Sequence, residues 1–269
     1  MRNATSKIRF VHVALLALMV GAQSVSARPD GGDTREPPPA AVDWQSLVLR
    51  ATGSGAPDVN ALNPTQARFG AEKHARADAL QLLLTQVRGV QINASKSVGD
   101  AMAASEDVRA KVESILRGYK VTAKRYYSDM GVELDVEIPL APLSDLFATA
   151  PPPPDPTQAP AKPKSTGVIV DARKLKVVPA LEARLLDESG QILYGVESLS
   201  ADSRKTAGVA SYFHSVDQAR QDPRVADRPL VIRAAKAQGS DLILGSDERK
   251  KLAESPSLLA NGRVIILID

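Results

Sequence analysis

Three acidic side chains alternate along the stretch GVELDVEIPL, and carboxylates at this spacing could bind a divalent cation or act in acid–base catalysis. On a regular strand, Glu133, Asp135 and Glu137 would share one face at intervals of about 6–7 Å. The positions between them are apolar, as in a half-buried strand: Val132, Leu134, Val136 and Ile138. Because no glycine loop or convergent ligand accompanies the acids, we predict a solvated sheet face and no metal or catalytic role.

A turn at residues 128–131 would make this strand the second half of a hairpin. That register places Lys124 opposite Asp135 and Thr122 opposite Glu137. Such cross-strand pairs contribute about 0.2–1 kcal/mol each. We therefore expect the acids to take part in pairs within the sheet.

The stretch ATGSGAPD at residues 51–58 contains a Gly-x-Gly, a pattern that cradles phosphate in some proteins. A phosphate loop needs a strand, a glycine turn and a helix in immediate succession, because the helix N-terminus supplies free N–H groups. Here Pro57 and a polar run follow Gly55 before any helical pattern, and no GK[ST] is present. We predict that Gly53 and Gly55 form a turn that ends a strand at residues 44–52.

A second group of side chains in the C-terminal part of the chain also suggests a site: Asp171, Arg173, Arg184, Tyr194 and His214. No serine–histidine–acid arrangement accompanies them, and the chain has no cysteine. We interpret Asp171 as a turn residue at a strand end and His74 as a surface histidine. Tyr212 and Phe213 are expected in the core. We assign no catalytic, cofactor-binding or metal-binding residue and expect no cofactor.

The first 27 residues have the features of a secretory signal peptide. Arg2, Lys7 and Arg9 precede a short apolar run, and Val25-Ser26-Ala27 suits cleavage. The apolar run is short for a membrane span, and an uncleaved anchor is the alternative. Without this segment the chain has equal numbers of basic and acidic residues, so no nucleic-acid partner is expected. The lack of cysteine argues against a covalent lipid anchor.

Two proline-rich segments divide the rest of the chain. Residues 28–42 (RPDGGDTREPPPAAV) are expected to be disordered, and residues 150–165 (APPPPDPTQAPAKPKS) to form a linker. A long surface loop within one domain is the alternative for the second segment. We predict two small α+β domains, at residues 43–149 and 166–269, each a mostly antiparallel sheet with helices packed on it.

Helix signals are well marked in the first domain. Asn63, Pro64 and Gln66 form a helix start with a cap. Small and apolar residues then recur every four positions and predict a helix over 64–88: Ala67, Ala71, Ala75, Ala79, Leu83 and Val87. Residues 90–98 alternate as a strand, and Ser105 begins a second helix that ends at Gly118.

The second domain is rich in strand patterns. A hairpin is predicted from residues 179–186 and 191–196, with its turn at 187–190. Further strands are predicted at 168–170, 229–237, 241–244 and 263–268. The last of these is almost continuously apolar and is expected to be central. A short helix begins at Ser246 and ends before Pro256.

Ordered small-residue patterns run through the first domain: ATGSGAP, then ARFGAEKHARADALQLLLTQVRGVQINAS, then ILRGYKVTAKRYYSDMGVELDVEIPL. Over residues 44–140 these resemble the twenty-kilodalton lipoprotein family, which is related to the N-terminal domain of flagellar assembly protein T. In the second domain, TGVIVDAR followed by PALEARLLDESGQILYG resembles the C-terminal region of exported relatives of that family. The resemblance implies turn glycines at Gly53 and Gly55 and assigns no activity. Members commonly carry a lipidated N-terminal cysteine, which this chain lacks.

These features favour an exported, non-enzymatic cell-envelope protein that makes protein–protein contacts in the periplasm or at the outer-membrane periphery of a Gram-negative bacterium. The resemblance implies an accessory or assembly factor of a flagellar or outer-membrane-associated structure. Its partners would be envelope or flagellar proteins, or further copies of the chain. A periplasmic module that binds a small ligand or a glycan is the alternative, and an extracytoplasmic hydrolase is a third reading.

Overall fold

The structure is a computed structural model, and it describes residues 40–149, 165–254 and 256–269. The predicted signal peptide, the first part of the segment 28–42 and nearly all of the predicted linker lie outside these residues. The described residues belong to one compact unit that holds two sheet regions. The α+β class is therefore confirmed for both regions. Among the described helices, none is long and apolar enough to cross a membrane.

The first sheet region is a four-stranded antiparallel sheet with helices and a small separate hairpin. The strand order in the main sheet is β1-β2-β6-β5, and β3 pairs with β4. The elements are β1 (Ala40–Asp43), β2 (Val48–Gly55), α1 (Pro64–Arg88), β3 (Gln91–Asn93), β4 (Lys96–Ser97), α2 (Val98–Ala104), α3 (Glu106–Arg117), β5 (Lys120–Tyr126), β6 (Val132–Pro139) and α4 (Ala141–Phe147).

Helix α1 begins and packs as its sequence predicts. The side chain of Asn63 accepts a hydrogen bond from the Gln66 N–H at 2.9 Å, and the Gln66 side chain accepts one from the Leu62 N–H at 3.1 Å. These contacts satisfy two N–H groups at the helix start. All six residues of the four-residue repeat are buried. The helix therefore lies on the sheet through a narrow stripe of small side chains.

Gly53 and Gly55 do not form a turn, and the prediction was wrong on this point. Both lie inside β2, where α1 crosses the strand. A Cβ atom on Gly53 would be 2.3 Å from the carbonyl oxygen of Ala75 and 2.4 Å from the N atom of Ala79. On Gly55 it would be 1.9 Å from the carbonyl oxygen of Ala71. Glycine is required at both positions because the helix backbone touches the strand backbone. A tight turn also requires glycine, so the sequence alone cannot distinguish the two cases.

Three further predictions for this region need correction. Residues 40–42 belong to β1, although the segment 28–42 was expected to be disordered, and the strand expected at 44–52 begins only at Val48. The strand expected at 90–98 is instead the β3–β4 hairpin followed by α2. Ser97 and Asp100 form a capping box that starts this helix. Helix α3 has the predicted cap at Ser105 and ends at Gly118.

The register of the β5–β6 hairpin also differs from the prediction. Arg125 lies opposite Glu133, Ala123 opposite Asp135 and Lys120 opposite Glu137. The loop is centred on residues 128–130, since the Tyr127 N–H donates to the carbonyl oxygen of Gly131, and a bulge near Val121 shifts the register again. Bulges add an unpaired residue that a simple count across the turn does not anticipate.

The second sheet region is a seven-stranded mixed sheet in the order β10-β13-β7-β11-β12-β8-β9. Its elements are β7 (Val168–Asp171), β8 (Leu185–Leu186), β9 (Ile192–Tyr194), α5 (Ala201–Thr206), β10 (Ser211–Phe213), α6 (Val216–Gln221), β11 (Leu230–Gln238), β12 (Asp241–Leu244), α7 (Ser246–Ala253), α8 (Pro256–Ala260) and β13 (Val264–Leu267).

The strands predicted for this region are present, except that the one expected at 179–186 is reduced to Leu185–Leu186, and the strand directions were not foreseen. Four of the six strand pairs are parallel, so the mostly antiparallel arrangement holds for the first sheet only. The sequence of a short apolar strand does not show whether the strand pairs in parallel or antiparallel orientation. β13 lies between β10 and β7 with all its residues buried, as expected for a central strand. β10, α5, α6 and α8 were not predicted.

The two sheet regions are joined by direct contacts. The Tyr212 N–H donates to the carbonyl oxygen of Trp44 at 3.0 Å, and the two rings meet edge to face with centroids 5.5 Å apart. The Leu181 N–H donates to the carbonyl oxygen of Gln91 at 2.9 Å. Leu181 itself is part of the hydrophobic core of the first region. Trp44 packs against the hydrophobic cores of both regions.

Candidate functional site

Strand β5 is an exposed edge of the first sheet. In the described part of the chain it pairs with β6 on one side only. Six of its seven residues are exposed, and Val121 alone is half-buried. Such an edge presents backbone N–H and C=O groups that can pair with another strand. β5 is therefore a place where a second chain can bind.

An exposed hollow lined by both apolar and polar side chains lies beside this strand. It has a volume of about 260 Å³ and is lined by Pro64, Thr65, Arg68, Phe69, Glu72 and Tyr126. Phe69 is 75% exposed and Tyr126 is 52% exposed. The guanidinium of Arg68 stands 5.4 Å from the centre of the Tyr126 ring, within range of a cation–π contact. Strand β5 and this hollow together are called the β5 surface below.

The charge of β5 is positive. The strand contains Lys120, Lys124 and Arg125 and no acid. Lys124 binds Glu72 of α1 at 2.7 Å, and hydrogen bonds from Lys124 and then Arg76 lower the pKa of Glu72. Lys120 has no ion-pair partner within 4.0 Å among the residues that the structure describes. The edge therefore keeps at least one cation available to a partner.

The three acids of β6 lie on the opposite, open face of the sheet, as predicted, but the cation that binds two of them is Arg125. Its guanidinium is 2.8 Å from Asp135 and 3.0 Å from Glu133. The Tyr127 hydroxyl also donates to Glu133 at 2.6 Å. Arg125 lowers the pKa of Asp135, whereas Tyr127 is the larger cause of the lowered pKa of Glu133. The carboxylates are thus held in an ion-pair network within the sheet.

A second surface feature is a cleft in the second sheet region, where β7 and β13 end. Its volume is about 600 Å³ and it is lined by Asp171, Arg173, Lys174, Leu175, Arg233, Ala234 and Asp269. Asp171 accepts hydrogen bonds from the backbone and the side chain of Arg173, and the side-chain bond is the main cause of its lowered pKa. Asp171 is therefore a turn residue at a strand end, as interpreted from sequence. This opening is called the β7 cleft below.

Asp269 organises the rim of the β7 cleft. Its carboxylate accepts a hydrogen bond from the Lys174 N–H at 2.8 Å, and its backbone oxygen lies 2.8 Å from Nδ1 of His214. The structure therefore brings together three of the five residues that the sequence singled out here. The other two lie elsewhere. Arg184 binds Asp241, and Tyr194 is buried and donates to the carbonyl oxygen of Val209.

Several residues of these surfaces were missed in the sequence. Phe69 is a large apolar residue that falls outside the buried four-residue repeat of α1, and this displacement is the signal that could have identified it. Arg233 and Asp269 meet Asp171 only through strand pairing, since both β11 and β13 lie beside β7. No local sequence pattern predicts that Arg233 and Asp269 lie beside Asp171. His74 is exposed, as predicted, and Tyr212 and Phe213 are buried.

The second sheet region is similar to a known family. Residues 167–269 match the family model described as Treponema pallidum Tp0624, second domain. The match covers β7 to β13 and less than half of the chain. A comparison with curated proteins finds no match. The comparisons therefore show one similarity, that of residues 167–269 to this second domain.

Proposed function

We propose that this chain is an exported, non-enzymatic protein of the cell envelope that binds other proteins through the β5 surface. The observation that carries the proposal is the exposed edge of β5 beside the Phe69–Tyr126 hollow. An unpaired strand edge supplies main-chain hydrogen bonds, and a neighbouring hollow with exposed aromatic rings supplies a place for an anchoring side chain. Exposed aromatic residues are enriched where proteins bind one another.

The partner that fits this surface is an extended, acidic segment of another protein. A second copy of β5 fits poorly, because that strand contains no acid and would bring a second Lys120 to the edge without supplying an ion-pair partner for either lysine. Like charges opposite one another destabilise a strand pair. An acidic strand would instead supply a partner for Lys120, whereas Lys124 and Arg125 already pair with acids of this chain. Its apolar side chain would occupy the hollow at Phe69.

We also propose where in the cell the chain acts and which cellular structure it assists. Export rests on the signal-like pattern of residues 1–27. A role as an accessory or assembly factor of a flagellar or outer-membrane-associated structure rests on the resemblance of residues 44–140 to the twenty-kilodalton lipoprotein family.

The test is site-specific crosslinking in cells. A photo-reactive amino acid is placed at Tyr126 of the tagged full chain, and the adducts are identified by mass spectrometry. We expect adducts with an acidic segment of another envelope protein. A synthetic peptide of that segment should then slow amide hydrogen exchange at residues 120–126 of the purified chain, because those amides would gain strand partners.

The matched control is Ile192, an apolar residue that is 43% exposed on β9 at the far end of the second sheet. The probe at Ile192 should give no such adduct. The double variant Phe69→Ser with Tyr126→Ser should reduce binding of the peptide about thirtyfold or more, since truncating an aromatic anchor costs about 2 kcal/mol or more. Adducts between copies of the chain alone, or a peptide that leaves residues 120–126 unprotected, would refute the proposal.

A further inference from the structure

We propose that the β7 cleft binds a small oxyanion, a phosphate or a carboxylate group, through Arg233 and Lys174. This inference does not depend on the β5 surface, because the cleft lies in the second sheet region. It rests on the shape of the cleft, on its two available cations and on its position at the ends of parallel strands.

Three cations and the carboxylates of Asp171 and Asp269 line the cleft, and two of the cations form no ion pair with the described residues. Asp171 is bound by both arms of the Arg173 guanidinium, at 2.9 and 2.8 Å. Asp269 accepts from the backbone of Lys174. Among the described residues, the ammonium of Lys174 and the guanidinium of Arg233 have no ion-pair partner within 4.0 Å. Both side chains are exposed and line the same opening.

The position of the cleft is one that favours ligand binding. β13, β7 and β11 are mutually parallel neighbours, and Asp171 ends β7 while Asp269 follows β13. In open α/β sheets, ligands bind in crevices outside the carboxyl ends of the strands. β7 and β13 end at the cleft, whereas β11 continues to Gln238. Arg233 lies opposite Asp171 in the β7–β11 register. Arg233 thus belongs to a strand that is paired with β7, and this pairing fixes the position of the Arg233 backbone.

The wall of the cleft also limits what can bind. Lys174 and Lys176 both have left-handed backbone conformations, with φ of 71° and 52°. Such conformations are costly for residues with side chains and persist where the surrounding structure holds them. Here the bond from the Lys174 N–H to Asp269 holds the loop. Leu175 and Ala234 complete the wall with apolar surface, so the cleft suits an anionic group that carries a short aliphatic part or none.

The test is an NMR titration of the full chain with inorganic phosphate and, separately, with succinate, at constant ionic strength maintained with chloride. We expect saturable shifts at the amides of residues 171–175 and 233–234. Arg233→Gln and Lys174→Gln should each weaken binding about tenfold, since a charge-assisted hydrogen bond to an anion is lost. Saturation by phosphate alone would identify a phosphate ligand, and saturation by succinate alone a carboxylate ligand.

The matched control is Arg249→Gln. Arg249 lies outside the cleft and pairs with Asp187 at 3.0 Å, so its loss should leave the titration unchanged. Arg233 and Lys174 are exposed, and thermal unfolding of each variant will show whether it has folded as the parent does. Shifts that rise linearly with both anions, or an affinity that Arg233→Gln does not change, would overturn the proposal.

Discussion

Glu182 shows how the fold changes the chemistry of a single residue. Its N–H donates to the carbonyl oxygen of Ile92 at 2.7 Å, in the contact between the two sheet regions. Its Oε1 atom is buried and has no hydrogen-bond partner within the described ranges. Burial raises the pKa of Glu182 to about 7, and the charge of Glu197 adds to the rise. The charges of Arg184 and Arg204 oppose it, but the loss of water contact is the larger effect.

This raised pKa predicts a specific dependence of stability on pH. The folded chain keeps the proton of Glu182 up to about pH 7, whereas the unfolded chain releases it near the ordinary value of 4.5. The free energy of unfolding should therefore fall as pH rises from 4.5 to 7, by up to about 3 kcal/mol. Glu182→Gln should remove this fall and be about 1–3 kcal/mol more stable than the native chain at pH 8. Urea denaturation of the native chain and of Glu182→Gln between pH 5 and pH 8 measures both free energies of unfolding.

The control for this experiment is Glu188→Gln, which changes an exposed carboxyl group in the turn before β9. It should keep the pH dependence of the native chain. If the free energy of unfolding of Glu182→Gln falls with pH as steeply as that of the native chain, the buried carboxyl group is not the cause of the fall.

At the scale of elements, the contact between β2 and α1 determines the arrangement of the first sheet region. Alanines on the helix and glycines on the strand allow the two backbones to approach closely. The side chain of Asp78 on α1 also accepts a hydrogen bond from the Ser54 N–H at 2.8 Å. Ser54 lies beyond the last residue of β2 that pairs with the described part of β1, so Asp78 supplies the partner that a strand would otherwise supply.

Gly53→Ala tests this packing. The added methyl group would meet backbone atoms of α1 that have no flexible side chain to move aside. We expect a loss of more than about 3 kcal/mol of stability, at or above the upper end for overpacked cores. Ser54→Ala, the neighbouring exposed position on the same strand, should change stability by no more than about 0.5 kcal/mol. Urea denaturation followed by circular dichroism compares them, and equal small effects would disprove the close contact.

At the scale of the whole molecule, Tyr212 holds the second sheet region together where it meets the first. Its hydroxyl accepts a hydrogen bond from the Ala180 N–H and donates one to the Ala180 carbonyl oxygen, both at 3.0 Å. Burial raises the pKa of Tyr212, so the hydroxyl stays protonated and can donate. Ala180 begins the segment whose next two residues bind the β3 backbone. The Tyr212 hydroxyl therefore fixes the start of a segment that joins the two regions.

Tyr212→Phe should cost about 1–3 kcal/mol, because a buried N–H and a buried carbonyl oxygen of Ala180 would lose their partner. Trp44 is the single tryptophan of the chain and touches Tyr212, so its fluorescence reports directly on the joint. Tyr126→Phe is the control, because that ring is half exposed. We expect its denaturation midpoint to match that of the native chain. A native-like midpoint for Tyr212→Phe would contradict the assigned role.

Local features of the sequence were enough to predict several elements. The cap at Asn63 and the four-residue repeat predicted α1, and the alternation in residues 132–138 predicted the half-buried strand β6. The apolar runs predicted β7, β11, β12 and β13. These signals work because capping and periodic burial involve residues close together in the chain.

The sequence by itself thus determined the helices and strands with strong local patterns, the α+β class and the signal-like N-terminus. The tertiary structure alone decided that Gly53 lies under a helix, that the second sheet is mixed, and that Arg125 binds the acids of β6. It also decided which side chains share a surface, bringing Arg233 and Asp269 to Asp171 and placing Phe69 beside β5. Each of these depends on contacts between residues far apart in the chain, which strand order, direction and register fix and local periodicity does not record.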